Sequence, residues 1–368
     1  MTKKWSSRLT FFAFVVLMVG LGSNDSLRGI FSTIFQEHFS LTTTQLGLIV
    51  TASYIGNLVF LLVGGNLSTR FSKKRVLQVL ILIWMAALAL FAFTSNYTVL
   101  LIGMALALGS STLLNTTMNL ITPLLFATAP GFFVNFLFFT QEIGTSGSQY
   151  ILGSHADGFA FWQHTNLVLL ILGAVAFVLL LFCNVPEEAA APADAPAQKG
   201  GYDWRIIVPY VLVFGFYFIA EHGVMNWMVA YGVDGLGLPQ ASAAKYLSVF
   251  FGGMMIGRLC LSPLVDKLGA LKSLAAFGGV SCVLYLIGSL GGAVTMPVWA
   301  ISGLSFSILY PTLVMSIRLY FPAQQVSGAA GTILSIASLA DILFNVGFGK
   351  LVDMACKLGR SVNPDLHL

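Results

Sequence analysis

The sequence predicts an all-α membrane protein with about eleven spanning helices in two homologous halves, and three observations carry that reading. The 368 residues are 57% hydrophobic and only 9% charged, a balance that a water-soluble chain of this length could not keep without exposing large apolar patches. The apolar residues fall in long runs separated by short stretches of Gly, Pro and charge. A bilayer core about 30 Å thick takes about 20 such residues per helix, so the length suits roughly ten to twelve spans with their loops. Finally, two related loop sequences recur at equivalent places in the two halves, the mark of an internally repeated membrane fold.

The first apolar run follows Lys3, Lys4 and Arg8, as in a signal peptide, but it is too long for one and no A-x-A cleavage pattern follows. It is read as a retained helix. Spans are predicted at 9–35, 44–69, 76–95, 97–125, 131–153 and 166–183, each bounded by Gly, Pro or charge. Residues 184–203, with Pro186, Glu187, Glu188, many small residues, Lys199, Gly200 and Gly201, form a solvated linker. Five further spans follow at 205–233, 241–264, 273–292, 296–320 and 327–352. The expected organisation is therefore a six-helix bundle at 1–183, a cytoplasmic linker at 184–203, and a second bundle at 204–368 showing five spans. Lys357, Arg360, Pro364, Asp365 and His367 keep 354–368 from crossing as one apolar helix. The expectation is a second half that lacks its twelfth span.

Orientation follows from the bias of Lys and Arg in short loops. Lys3, Lys4 and Arg8, then Arg70, Lys73, Lys74 and Arg75, place the N-terminus and the loop after the second span in the cytoplasm. Lys267, Lys272 and Arg318 then fall on the same side. The formal charge of +4 is spread beside apolar runs as topology determinants are, so no nucleic-acid partner is expected. Cys183, Cys260, Cys282 and Cys356 stand far apart with no pairing or metal spacing. They are read as small buried side chains, and neither a metal nor a cofactor is expected. No P-loop, metal cluster or nucleophile–base pair is present, and no soluble catalytic domain, so an enzyme is not expected.

The loop after the second span reads Gly65-Asn-Leu-Ser-Thr69-Arg70-Phe-Ser72-Lys73-Lys74-Arg75. The loop after the eighth reads Ser262-Pro-Leu-Val-Asp266-Lys267-Leu-Gly269. Both resemble the G-x-x-x-D-[RK]-x-G-[RK]-[RK] loop of the major facilitator superfamily, whose small residues let helices approach and whose acid and base lock spans on the inner side. The first copy departs at Thr69 and Ser72; the second keeps Asp266, Lys267 and Gly269. Arg70, Asp266 and Lys267 are thereby expected to gate. A plain positive-inside anchor is the competing reading for Arg70.

A closer resemblance runs along most of the chain. Phe39-Ser-Leu-Thr-Thr-Thr-Gln45-Leu-Gly47, Asn115-x-x-x-Asn119, Asn135, Gly144 and Ser307-Ile-Leu-Tyr310-Pro311-Thr312, with Glu221, Trp227 and Tyr231, are similar to the fucose/galactose/glucose–proton symporter branch of that superfamily. The resemblance implies two six-helix pseudo-repeats and transport by alternating access. The fucose-transporting part of the branch has an acid in span one where this chain has Gly29 and another in span four where it has Asn115, so the resemblance excludes coupling by that same pair here and makes L-fucose an unexpected substrate.

An ionisable side chain within a span costs several kcal/mol and is by default a functional candidate. Asp25 with Asn24 and Arg28 interrupts the first span, and Glu142 beside Gln141 the fifth. Glu221 with His222 and Asn226 interrupts the seventh, and Asp341 with Asn345 the eleventh. Spans one and seven are equivalents in the repeat, as are five and eleven, which suits a midplane site. Proton coupling is assigned to Asp25, Glu142, Glu221 and Asp341, foremost to Glu221 among Phe214, Phe216, Tyr217 and Phe218. Each has a structural alternative: Asp25 and Arg28 are spaced for a local ion pair, Glu142 for facing outer water, and Asp341 for holding a neighbouring helix. His222 is read as a satisfied helix histidine and Glu37 as a solvated end residue.

Sugar recognition calls for dense donors and acceptors together with flat aromatic faces. Asn24, Asn115, Asn119, Gln141, Asn226, Trp227, Tyr310 and Asn345 are the expected binding residues. The sequence thus predicts a monomeric, multi-pass protein of the bacterial inner membrane that moves a monosaccharide or related neutral polar solute with protons. Proton-coupled efflux of drug-like or amphiphilic metabolites is the alternative.

Overall fold

The computed structural model describes residues 3–41, 43–64, 70–153, 158–186 and 202–362, and among these the chain passes from helix to helix with no strand. The first span is Lys3–Ile30, followed by a short separate helix, Ser32–His38. The second is Thr43–Val59, which widens into a π turn, Phe60–Gly64. Lys73–Phe93, Tyr97–Leu125, Pro130–Gly153 and Phe159–Phe182 complete the first set. In the second set, Trp204–Ala230 also ends in a π turn, Tyr231–Gly235. Gln240–Cys260 bends by 51° into Ser262–Leu268. Ala270–Leu290, the broken tenth span Met296–Phe306 and Leu309–Ser316, and Val326–Val362 follow.

Eight of these helices are long and apolar enough to cross a membrane, and a ninth when the bent pair counts as one. The second predicted span is shorter, with its apolar stretch at Leu48–Gly64. The fifth has length enough, but Thr140, Gln141, Glu142, Thr145 and Ser146 dilute its second half. That dilution is where its chemistry lies.

Boundaries moved where local chemistry outweighed hydropathy. The predicted 9–35 divides at Phe31, and the sixth span starts at Phe159 rather than 166, since Phe159 and Trp162 are buried with Asn166. The tenth span breaks at Ser307–Ile308 because Pro311 has no N–H to return to the Ser307 carbonyl four residues back.

The two sets pack by the same rule. Span two lies on span four and three on four, and likewise eight on ten and nine on ten. Close approach is licensed by glycine: a Cβ on Gly22 would collide with the Gln141 carbonyl, and one on Gly303 with that of Phe250. Thr145 Oγ1 donates to Gly22 O at 3.2 Å and Ser23 Oγ to Gly144 O at 3.3 Å, tying spans one and five together.

The related loops meet their next helices at the same register. Ser72 is the N-cap of Lys73–Phe93, its side chain accepting from Arg75 N at 3.4 Å. Gly269 is the N-cap of Ala270–Leu290 at φ +81°, a left-handed conformation that favours glycine. The repeat therefore solves one junction twice, by a side-chain cap in one copy and by backbone freedom in the other. Thr69 lies outside the described residues.

The chain gathers into two compact units, Met1–Gly201 with Val314–Ser335, and Tyr202–Leu313 with Ile336–Leu368. Within the first, buried Lys73 donates to Ser327 Oγ at 2.5 Å. Lys74 Nζ donates to the carbonyls of Leu181 and Cys183 at 2.9 and 2.8 Å, satisfying the C-terminal end of span six. Most of the predicted linker lies outside the described residues.

Candidate functional site

In the first unit a directed chain of hydrogen bonds links spans one, four and five. Asn115 and Asn119 are one helical turn apart on span four, so they share a face. Asn119 Nδ2 donates to Asn115 Oδ1 at 2.6 Å, and Asn115 Nδ2 donates to Gln141 Oε1 at 2.7 Å. The Gln141 side chain bonds in turn to Asp25. Every amide thus points its N–H toward the carboxylate, an arrangement in which successive bonds polarise one another. Asp25 also accepts from Asn24 and, at 3.5 Å, from Ser111 Oγ, with Arg28 close on the same helix. Asp25, Asn24 and Arg28 line a small cavity with Phe91 and Trp162, and the Arg28 guanidinium lies 5.9 Å from the centroid of the Tyr54 ring. Asn119 is buried, and its Oδ1 has no hydrogen-bond partner among the described residues. Glu142 is half-buried, and as the residue after Gln141 it is turned about 100° round the helix from it.

The second unit is built otherwise. Tyr217 stacks on Phe306 at 4.8 Å, and Tyr310 packs 5.7 Å from Tyr217 and edge-on to Phe214 at 5.9 Å. Glu221, one turn beyond Tyr217, acts electrostatically on Tyr217, Tyr310 and His222. His222 Nδ1 lies 2.6 Å from Oδ2 of the buried Asp341. The histidine expected as a satisfied helix residue therefore joins spans seven and eleven, and Phe218 stacks on its ring. Buried Arg258 of span eight acts on both tyrosines and donates through Nε to Ser307 O at 3.4 Å. That carbonyl is the one Pro311 leaves unpaired. The proline break thus supplies the acceptor that holds a buried guanidinium beside Tyr310.

Six of the twelve expected binding and coupling residues are joined in two clusters by these contacts: Asn24, Asp25, Asn115, Asn119 and Gln141 in one, Asp341 in the other. Glu221 and Tyr310 enter the second cluster through electrostatic and ring contacts. Trp227 is half-buried in span seven, while the side chains of Asn226 and Asn345 lie outside the described residues. Of the expected gating residues, Arg70 and Lys267 are exposed and Asp266 half-buried. The buried base of the first loop is Lys73. Arg258 was missed, although a lone charge in an apolar helix was signal enough to find it.

A family model, the Major Facilitator Superfamily, matches residues 10–345. The chain belongs to that family. Among its relatives, the L-fucose-proton symporter of Escherichia coli (strain K12) is 24% identical over 333 residues, covering 78% of this chain and 75% of the relative. The glucose/galactose transporter of Brucella abortus biovar 1 (strain 9-941) is 27% identical over 341 residues, covering 86% and 81%. In fold, the chain is similar to the superfamily transporter FucP, crystallised in the outward conformation, with a TM-score of 0.78 at 20% identity over 95% of this chain and 93% of that one. The superfamily fold accounts for the paired packing of spans in the two sets. The chain is a multi-pass membrane protein of a transporter family.

Proposed function

We propose that this chain is a proton-coupled symporter of a monosaccharide or a related neutral polar solute, working by alternating access of two helical bundles divided at residues 184–203. The observation that carries the reading is the amide chain Asn119–Asn115–Gln141 ending on Asp25. Amides offer both donors and acceptors, which suits a ring of hydroxyls and gives little to an apolar or cationic drug. The names of the relatives, a fucose–proton symporter and a glucose/galactose transporter, point to the same solute class. Asn24, Trp227 and Tyr310, with Asn226 and Asn345, complete the assigned binding set.

The proton carriers in this reading are Glu221 first, with Asp341, Asp25 and Glu142. Glu221 neighbours two tyrosines, a histidine and, through those tyrosines, Arg258, groups between which a proton can pass. Arg70, Asp266 and Lys267 act at the cytoplasmic loops, to which we add Lys73 through its bond to Ser327. The protein works as a monomer in the bacterial inner membrane, with its N-terminus in the cytoplasm and no cofactor.

Proteoliposomes with an alkaline interior test the reading. Saturable accumulation of glucose, galactose or a related sugar is expected, collapsing when the gradient is dissipated. Glu221→Gln is expected to abolish accumulation while leaving sugar-for-sugar exchange. Failure to concentrate any sugar, together with export of a cationic dye, would overturn the assignment; full accumulation by Glu221→Gln would remove that carboxylate from coupling.

A further inference from the structure

A groove of about 770 Å³ opens on the first unit between spans two, three, four and six, in the size range of ligand sites, about 300–1,000 Å³. Its floor is buried Val76, Leu80 and Leu113. Its rim includes exposed Val63, Val79 and Leu82. The π turn at Phe60–Gly64 shapes one wall, and Leu113 reaches to the bare backbone of Gly64, where a Cβ would meet it at 2.5 Å. One end differs from the rest: Arg75, exposed, lines it beside Phe71. Its neighbour Lys74 is committed to the end of span six, whereas Arg75 forms no ion pair among the described residues.

We propose that this groove holds an acyl chain of an anionic phospholipid whose phosphate is bound by Arg75. A largely apolar trough that ends on a guanidinium with no ion pair among the described residues is complementary to an amphiphile with an apolar tail and an anionic head. A guanidinium prefers a phosphate that can accept two parallel N–H bonds. The position also fits a lipid: Arg75 begins a spanning helix, at the level where headgroups meet water, and the trough runs from there along the apolar part of span three. The inference rests on the membrane-spanning fold and is independent of which solute is carried.

Titration of the delipidated protein with phosphatidylglycerol and with phosphatidylcholine of the same chains, read by native mass spectrometry, tests it. A basic residue at a membrane surface contributes about 1 kcal/mol toward an anionic lipid, so the wild type should bind phosphatidylglycerol about five-fold more tightly. Arg75→Gln should bring the two lipids level. Val79→Trp, and separately Leu82→Trp, should fill the trough from its exposed rim and displace both lipids while leaving the melting temperature of the lipid-free protein unchanged. Equal binding of the two lipids by the wild type would overturn the proposal. So would a phosphatidylglycerol preference that survives Arg75→Gln, or retention of the lipid by a folded trough-filling variant.

Discussion

The polar groups of the first unit and those of the second sit on equivalent spans of a repeat yet use different chemistry. The first unit answers Asp25 with Arg28 on its own helix and otherwise with neutral donors: three amides in series, Asn24 and Ser111. The second surrounds its carboxylates with groups that themselves titrate or carry charge: His222, Arg258, Tyr217 and Tyr310. A repeat that duplicates a backbone does not have to duplicate a function. The fixed amides suit the recognition of hydroxyls, whose positions do not change with pH, and the ionisable set suits the handling of a proton.

The largest test of that division is Gln141→Leu. Gln141 is the amide that joins the chain to the carboxylate, bonded to Asn115 on one side and to Asp25 on the other, so its loss leaves a donor and an acceptor unanswered. Leaving a buried polar group unpaired costs about 1–3 kcal/mol, or roughly a 5- to 150-fold rise in the sugar concentration for half-maximal transport. The proton-to-sugar ratio, measured alongside, should not change. A variant that lost coupling and kept its affinity would reverse the roles assigned to the two units.

The second unit is probed by a double-mutant cycle on Asp341→Asn and His222→Gln, read by thermal unfolding. Side chains bonded at 2.6 Å should be coupled by about 0.5–3 kcal/mol. The single variants should therefore not add. Each should also alter the pH dependence of accumulation more than the apparent affinity for sugar. Additive losses would reduce the pair to two independent packing residues.

How much of this was legible in the sequence depended on the distance over which each contact acts. The i, i+4 spacing of Asn115 and Asn119 puts them on one helix face without any knowledge of the fold, and Pro311 announces a break wherever it falls in a span. Repeat spacing also paired the loops that end in Ser72 and Gly269. What could not be read was which side chain answers which. His222 and Asp341 are 119 residues apart, and Lys73 and Ser327 are 254 apart. Only helix packing brings them within reach, and it names Asp341 as the group that satisfies His222, which the sequence could not. Arg258 was hidden differently: its charge was visible, but the carbonyl that holds it exists only because Pro311 frees Ser307.

The finest test concerns Ser111, whose hydroxyl reaches Asp25 at 3.5 Å, the long limit for a hydrogen bond. A bond so stretched should contribute near the low end of the usual range, about 0.5 kcal/mol. Ser111→Ala should then raise the half-maximal sugar concentration by only about two-fold. The same carboxylate also accepts from Gln141 and Asn24, so Ser111→Ala leaves it held while Gln141→Leu disconnects it from the amide chain. The ratio of the two effects therefore measures whether Asp25 serves as the end of that chain or as a carboxylate in its own right. If Ser111→Ala proved as damaging as Gln141→Leu, what matters would be the number of donors on Asp25. The series of amides leading to it would then carry no special weight.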